Sequence, residues 1–431
     1  MGRALNQRLR RPALLLLAAV LAVLTLLGGR VWSARPDPVT VNVLMAAPFA
    51  DATAGLVDRF NRSHDDLRIR VTRGPMETES VSDLAISSLL LGNSPYDLLL
   101  MDVTWTAKYA AAGWLTPLDP LLGEDPLAGV VAGARLGNRI DDQLWRVPLL
   151  ASMGLLYWRT DLMDQPPRTP AELVAISRQL QRDGRVPWGY LWQGRQYEGL
   201  SCVFLEVLQG FGGWWWEPGA SPSLGLNQAP SIRAAAWLGS LIDEGVSPRA
   251  VANFAEPQVL QSFENGQAAF MRNWPYAWSE LQKQGSAVAG KVGVTTMVAE
   301  PGERPAATQG SWGLSVVSQS EHPREAAAVL RYLTGADSQK TLAIDWGYTP
   351  TLRSVFTDPE VIAANPVMPE LQRALDDAVL RPVTPLYAQF SDILQRQLSS
   401  VLTGSIDAER AMGRAGGATE RLLDAAGAGS R

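Results

Sequence analysis

From residue 39 onward, apolar positions alternate between two spacings. Val39–Met45 (VTVNVLM) is almost continuously apolar, as a strand buried on both faces would be. Leu56, Val57 and Phe60 are spaced like the inner face of a helix, and Leu67–Val71 (LRIRV) alternates like a half-buried strand. A second helical stretch, Val81–Leu91, leads into the apolar run Tyr96–Asp102. Strand–helix alternation of this kind predicts an α/β lobe with a mostly parallel sheet. Ligands of such sheets collect beyond the carboxyl ends of the strands. Asp102, Thr104 and Trp105 stand at that position, and Asp102 is also a natural cap for a helix over Thr104–Ala112.

The pattern continues with a strand in Asp141–Leu150, broken by Pro148, and another at Gly154–Trp158. Thr169-Pro170-Ala171-Glu172 carries a threonine cap, a proline at the first helical position and a glutamate that closes a capping box, predicting a helix to about Arg182. Gln193–Gly199 is polar and predicts a loop, with Gln196 and Glu198 as candidates for contacts to hydroxyl groups. Trp214-Trp215-Trp216 cannot all face one way, so some of them must pack. Helices are predicted over Ser231–Gly245, Glu256–Asn265, Pro323–Gly335, Ser338–Gly347, Leu371–Leu380 and Leu386–Leu402, and strands at Val292–Thr296 and Gly310–Val317. The tail Gly413–Arg431 predicts a short helix followed by disorder.

One stretch stands apart. Ala268–Met271 predicts a short buried strand that runs into Asn273-Trp274-Pro275-Tyr276, where Pro275, lacking a backbone donor, ends any ladder. Large rings with polar tips on a rigid turn suit a ligand with apolar faces and hydroxyl edges, such as a sugar. Packing Trp274, Tyr276 and Trp278 into the core would use the same residues.

Composition narrows the choice. At 431 residues the chain exceeds the roughly 250–300 at which single cores stop growing, so two lobes are expected. A net charge of −5 lacks the basic footprint of a nucleic-acid binder. Cys202 is the single cysteine, and His64 and His322 are the only histidines, which excludes an internal disulfide and disfavours a metal site or histidine triad. Fifteen tryptophans against nine phenylalanines favours surfaces that touch something amphipathic. Arg3, Arg8, Arg10 and Arg11 precede the apolar run Ala13–Gly29, as in a secretory leader. Trp32-Ser33-Ala34 is a poor cleavage site, so the run is either removed or kept as an N-terminal anchor. Both place the remainder outside the cytoplasm.

Several chemistries are set aside. Gly285–Val292 nearly matches a phosphate-binding loop, but valine stands where a Ser or Thr must hold magnesium, and the segment precedes a strand. There is no G-x-S-x-G elbow, no H-E-x-x-H and no G-x-G-x-x-G after a strand. A glycosidase needs only two carboxylates, and Asp102 with Glu198 keeps a secreted carbohydrate hydrolase open as the alternative to a binding site.

Taken in order and spacing, several stretches resemble one family. These are Asp97–Trp105 with Gly113–Leu118, Val147-Pro148 with Gly154–Arg159, Tyr197–Leu200, Asn273–Tyr276, Gly310–Gly313, and Arg381-Pro382 before Tyr387. Over Val39 to Leu402 the chain resembles the extracellular sugar-binding proteins of ABC importers related to maltose-binding protein, with the trehalose/maltose-binding subgroup nearest. The resemblance implies a two-lobed periplasmic-binding-protein fold of the α/β class, each lobe a mostly parallel sheet flanked by helices. Residues 36–147 and 300–350 would form one lobe and 148–299 and 351–431 the other, after a leader or anchor over 1–35. The hinge crossings would fall near Arg146–Leu150, Thr296–Pro305 and Tyr348–Ser354.

The resemblance further implies sugar contacts at Asp102, Trp105, Tyr157, Glu198, Trp274, Tyr276, Trp312 and Arg381. Carboxylates accept pairs of hydroxyls, arginine donates in a fork and indoles offer their faces to sugar C–H groups. The chain departs from the family pattern at Ser152-Met153-Gly154, where relatives carry an aspartate, and in Ala46–Asp51, which lacks a glutamate. Beyond Gly74-Pro75 it has Glu77 and Glu79 where an arginine is expected. The expected ligand is a neutral disaccharide or glucosylated polyol of the trehalose, sucrose, maltose or glucosylglycerol type. The expected partner is a membrane permease, with no cofactor, no metal, no nucleic acid and a monomeric chain.

Overall fold

The computed structural model describes residues 37–217 and 223–427, and Ala19 alone of the segment before them. Apart from Ala19, the apolar run Ala13–Gly29 and the arginines before it lie outside the described residues. No helix among the described residues is long and apolar enough to cross a membrane.

In chain order the first elements are β1 (Val39–Met45), α1 (Ala47–Ser63), β2 (Leu67–Arg73), α2 (Thr78–Leu90), β3 (Leu98–Asp102), α3 (Trp105–Ala111) and β4 (Val147–Leu150). The next group is β5 (Leu155–Arg159), α4 (Pro170–Arg182), β6 (Trp188–Leu191), α5 (Glu198–Gly210), α6 (Ala229–Asp243), α7 (Glu256–Glu264), β7 (Ala268–Asn273), α8 (Tyr276–Leu281) and β8 (Val292–Thr295). The chain then continues through β9 (Ala307–Thr308), β10 (Trp312–Val316), α9 (Pro323–Thr334), α10 (Ala336–Trp346), α11 (Met368–Asp376), β11 (Ala378–Val379), α12 (Tyr387–Leu402) and α13 (Ala408–Ala425).

Two sheets result. The first has the order β2-β1-β3-β10-β4 and the second β8-β5-β7-β6, while β9 and β11 form one of three separate two-stranded pieces. The two-lobed α/β organisation is the one expected, but the sheets are mixed. β1 runs parallel to β2 and β3, whereas β10, which returns from the other lobe, is antiparallel to both β3 and β4. In the second sheet β7 is parallel to β6, and β5, arriving from the first lobe, is antiparallel to its neighbours. A strand that enters from the opposite lobe approaches its sheet from the other end, which reverses its direction.

Local chemistry explains most boundaries. The Thr169 hydroxyl accepts from the Glu172 amide at 3.2 Å while the Glu172 carboxylate takes the Thr169 amide, so the capping box forms as read. Pro148 lies within β4 and does not break it. β4 is the edge of its sheet, where a missing donor costs no ladder bond, and the register shifts beside it between Trp312 and Gly313. Gln193–Gly199 is a loop only as far as Tyr197, because Glu198 begins α5. The helix expected to reach Leu380 ends at Asp376, since Ala378 and Val379 pair with Ala307 and Thr308. Of the three consecutive indoles Trp215 is buried in the second lobe's core, as packing required.

Two expectations about the C-terminal third are corrected. The tail is not a short helix: α13 runs for 18 residues and buries Ala411, Met412, Ala415, Thr419 and Leu423 against α12 and α6. Small residues on that face allow close approach, so the Ala and Gly content reflects packing. The third passage between lobes also comes later than 348–354. The Thr351 hydroxyl donates to the Pro148 carbonyl at 3.1 Å, Val131 donates to the Thr351 carbonyl at 2.9 Å, and Gly133 packs against Leu375. Residues 351–376 therefore sit with the first lobe's elements, and the chain reaches α12 in the second lobe only through the segment after β11.

Candidate functional site

One wall is built where β3 ends and β10 begins. The antiparallel register sets Trp312 directly opposite Asp102. Asp102 is 6% exposed, and its Oδ1 accepts from the Thr104 amide at 2.9 Å and the Thr104 hydroxyl at 2.7 Å, turning the chain into α3. Trp105, the first residue of α3, meets Trp312 edge to face at 5.7 Å. Phe49 lies 4.7 Å from Trp312 and 5.6 Å from Tyr348, continuing the aromatic surface. Neither Phe49 nor Tyr348 was legible as a site residue. The available signal was that Phe49 stands in Ala46–Asp51, which lacks an expected glutamate and forms the start of α1, and that Tyr348 precedes a Thr-Pro pair.

Behind this wall Arg146 is fully buried, donating to the Met101 carbonyl at 3.2 Å and to the Ser311 hydroxyl at 3.0 Å. Burial pushes its guanidinium down to about 9, with the Asp102 carboxylate opposing that shift and Arg381 adding to it.

The second wall follows β7. Asn273 ends the strand, Pro275 caps α8, and Trp274 and Tyr276 project half-buried on either side of the proline. Pro275 ends the ladder as expected, because it has no amide to donate. Arg272 is fully buried, paired with fully buried Glu206, and its guanidinium lies 3.9 Å from the centre of the Trp274 ring. Burial opposes the Arg272 charge, but the Glu206 carboxylate more than offsets it and holds the guanidinium above its ordinary range. Trp274 Nε1 donates to Glu256 Oε1 at 3.0 Å. Burial, with Glu256 and Glu280 nearby, pushes the Tyr276 phenol up. Trp278, in α8, packs half-buried against the core.

Arg381, in the segment after β11, joins the two walls. Its Nη2 donates to Asp102 Oδ1 at 3.0 Å and to the Gln309 carbonyl at 3.2 Å, while Nη1 donates to Glu198 Oε1 at 2.7 Å. The Glu198 carboxylate also accepts from the Ser391 hydroxyl at 2.7 Å and from the Tyr387 hydroxyl. Burial alone would lower the Arg381 guanidinium. The Asp102 carboxylate, joined by Cys202, Tyr387 and Glu198, overcomes that and holds it well above its ordinary value.

Of the eight residues expected at the site, the structure thus brings Asp102, Glu198 and Arg381 into one ionic cluster. It sets Trp105 beside Trp312, and Trp274 beside Tyr276. Tyr157 differs from expectation. It lies in β5 between β7 and β8, is fully buried, and its hydroxyl donates to the Trp274 carbonyl at 2.8 Å. A residue in the middle of a sheet, with its ring in the core, supports the site without lining it. An acid–base pair for glycoside hydrolysis needs one carboxyl free to give a proton. Asp102 and Glu198 are instead both engaged by one guanidinium.

Against this geometry the comparisons are direct. The profile of the bacterial extracellular solute-binding proteins matches residues 46–340. The chain belongs to that family. A probable ABC transporter-binding protein of Deinococcus radiodurans is 34% identical over 354 residues, covering 78% of this chain and 82% of the relative. A mannitol-binding protein of Pseudomonas aeruginosa is 24% identical over 394 residues, covering 85% and 89%. Among solved structures, the maltose-bound MalE3 of T. maritima is 30% identical with a TM-score of 0.82, covering 89% of this chain and all of that one. This solute-binding protein therefore has the fold of the maltose-binding-protein group. It is a binding component of a transporter that works outside the cytoplasm, and not an enzyme.

Proposed function

We propose that this solute-binding protein captures a neutral disaccharide or glucosylated polyol between its lobes and delivers it to the permease of a sugar ABC importer. The observation that carries the reading is the Arg381 bridge. One guanidinium reaches Asp102 on the first lobe and Glu198 on the second, between an aromatic surface at Trp105 and Trp312 and another at Trp274 and Tyr276. Carboxylates and a guanidinium fork bind hydroxyl pairs, and the ring faces suit sugar C–H groups. Both lobes contribute, so a bound ligand favours the closed arrangement, as in hinge-type closure. The 30% identical relative of this fold is bound to maltose, which supports a glucoside over a charged solute.

A second reading is an open-chain alditol, favoured by the mannitol-binding relative. A thermal-shift screen over maltose, trehalose, sucrose, glucosylglycerol and mannitol, followed by calorimetry, tests both. A disaccharide that raises the melting temperature and survives intact supports the proposal. Stabilisation by none of the sugars would sink it.

A further inference from the structure

The Trp274 indole is half-buried and held at its backbone, its ring edges and one face. Its amide donates to Asn273 Oδ1 at 2.9 Å, and its carbonyl accepts from the Tyr157 hydroxyl at 2.8 Å. At the ring edge Nε1 donates to Glu256 Oε1 at 3.0 Å, and the other Glu256 oxygen accepts from the Tyr197 hydroxyl at 2.7 Å. One face is covered by the Arg272 guanidinium at 3.9 Å, which is locked in turn by Glu206 through an Nε–Oε2 bond of 2.9 Å. The far edge of the ring lies against Gly310, where even a Cβ would stand 3.1 Å from it.

These contacts have a chemical consequence. Indole has a single hydrogen-bond donor, and Glu256 holds it. What Trp274 still exposes is apolar ring surface with no polar handle, so it can read a flat array of C–H groups but not a hydroxyl. A pyranose ring has such a face. An open-chain alditol carries hydroxyls along a flexible backbone, has no persistent apolar face and loses more conformational freedom when ordered.

We infer that Glu256 and Arg272 are positioning residues that make Trp274 a stacking platform, and that the cleft thereby selects cyclic sugars over open-chain alditols. The inference rests on the reading that this cleft binds sugars, and it commits that reading to ring-containing ligands.

The test is calorimetry with maltose and mannitol on the full chain and on Glu256→Gln and Glu256→Leu. Gln keeps an acceptor for Nε1 and a partner for Tyr197, so it should preserve the preference for maltose. Leu frees the indole to turn, and the maltose-to-mannitol affinity ratio should drop by about tenfold, the scale of one well-set ring contact. A merely structural role for Glu256 would lower both affinities together and leave the ratio unchanged, which overturns the inference. If Glu256→Leu does not fold, Tyr197→Phe removes one Glu256 partner and should lower the ratio by a smaller factor; an unchanged ratio there overturns it as well. Equal binding of maltose and mannitol by the unmodified protein would overturn this inference alone. Binding of neither would overturn the sugar reading beneath it too.

Discussion

Asp102 and Trp312 are opposite partners across an antiparallel strand pair, one ending β3 and the other beginning β10. The acid and the indole therefore emerge at the same end of the first sheet although 210 positions separate them. Asp102 is also the shared neighbour of two buried arginines, Arg381 in direct contact and Arg146 behind it. Removing the carboxylate leaves Arg381 with Glu198 as its one carboxylate partner beside the Gln309 carbonyl, so Asp102→Ala should cost stability as well as binding. We expect a loss of about 3 kcal/mol in urea unfolding, typical of breaking one side of a buried pair. Sugar affinity should fall by about 2–4 kcal/mol, as for a buried anchor. Near-normal values for both would contradict the ionic bridge.

Glu206 and Arg272 are a fully buried ion pair, and Gly154 exists to make room for it: a Cβ there would lie 1.8 Å from Glu206 Oε1. Glu206→Ala strands a buried guanidinium and should destabilise the protein by about 3–5 kcal/mol. Gly154→Ala must displace the same pair and should produce a comparable loss, read from the midpoint of denaturant unfolding. A midpoint unchanged in Gly154→Ala would mean that the pair is more loosely held than its geometry indicates.

At Gly310 the demand is finer. A methyl group would press on the Trp274 ring at 3.1 Å, a contact that a shift of a few tenths of an ångström relieves. Gly310→Ala should therefore fold with normal circular dichroism yet bind sugar about tenfold more weakly, because the platform moves. Unaltered affinity by calorimetry would place the ligand away from this ring.

Acid dependence has a distinguishable source in Glu79. The side chain is exposed, yet partial burial raises its pKa above the usual carboxylate value, and the Glu198 and Asp102 carboxylates raise it further. A folded pKa above the unfolded one means that the group favours the folded state while protonated, and that this advantage is lost as pH rises through the folded value. Glu79→Gln should thus melt higher than the unmodified protein at neutral pH, and the two curves should converge below about pH 4. Parallel melting curves across that range would show that Glu79 does not feel the cleft charges.

Cys202 is buried in α5, and burial pushes its thiol far above the ordinary range. The native protein should resist thiol reagents at neutral pH and react only as fast as it unfolds. A rapid stoichiometric reaction in the absence of denaturant would refute that placement.

Short-range chemistry was readable in this chain because neighbours along the sequence carry it. The Thr169–Glu172 capping box, the proline-led helix α9, the buried strand before Asn273 and the turn made by Pro275 all depend on residues a few positions apart. Chain length and the strand–helix alternation were enough for two α/β lobes, and the ordered motifs from Asp97 to Tyr387 carried the resemblance to sugar-binding proteins. Tertiary structure alone decided where the long-range partners fell. Arg381 meets Asp102 across 279 positions and Glu198 across 183. Phe49 joins Trp312 by packing, and Tyr157 turns into the core because its strand lies inside the sheet. Periodicity is a property of local backbone geometry, whereas a site between lobes depends on register and hinge path. Pairing with β9 likewise ended a helix that its own residues would have continued, and α13 lengthened because α12 and α6 offered it a surface.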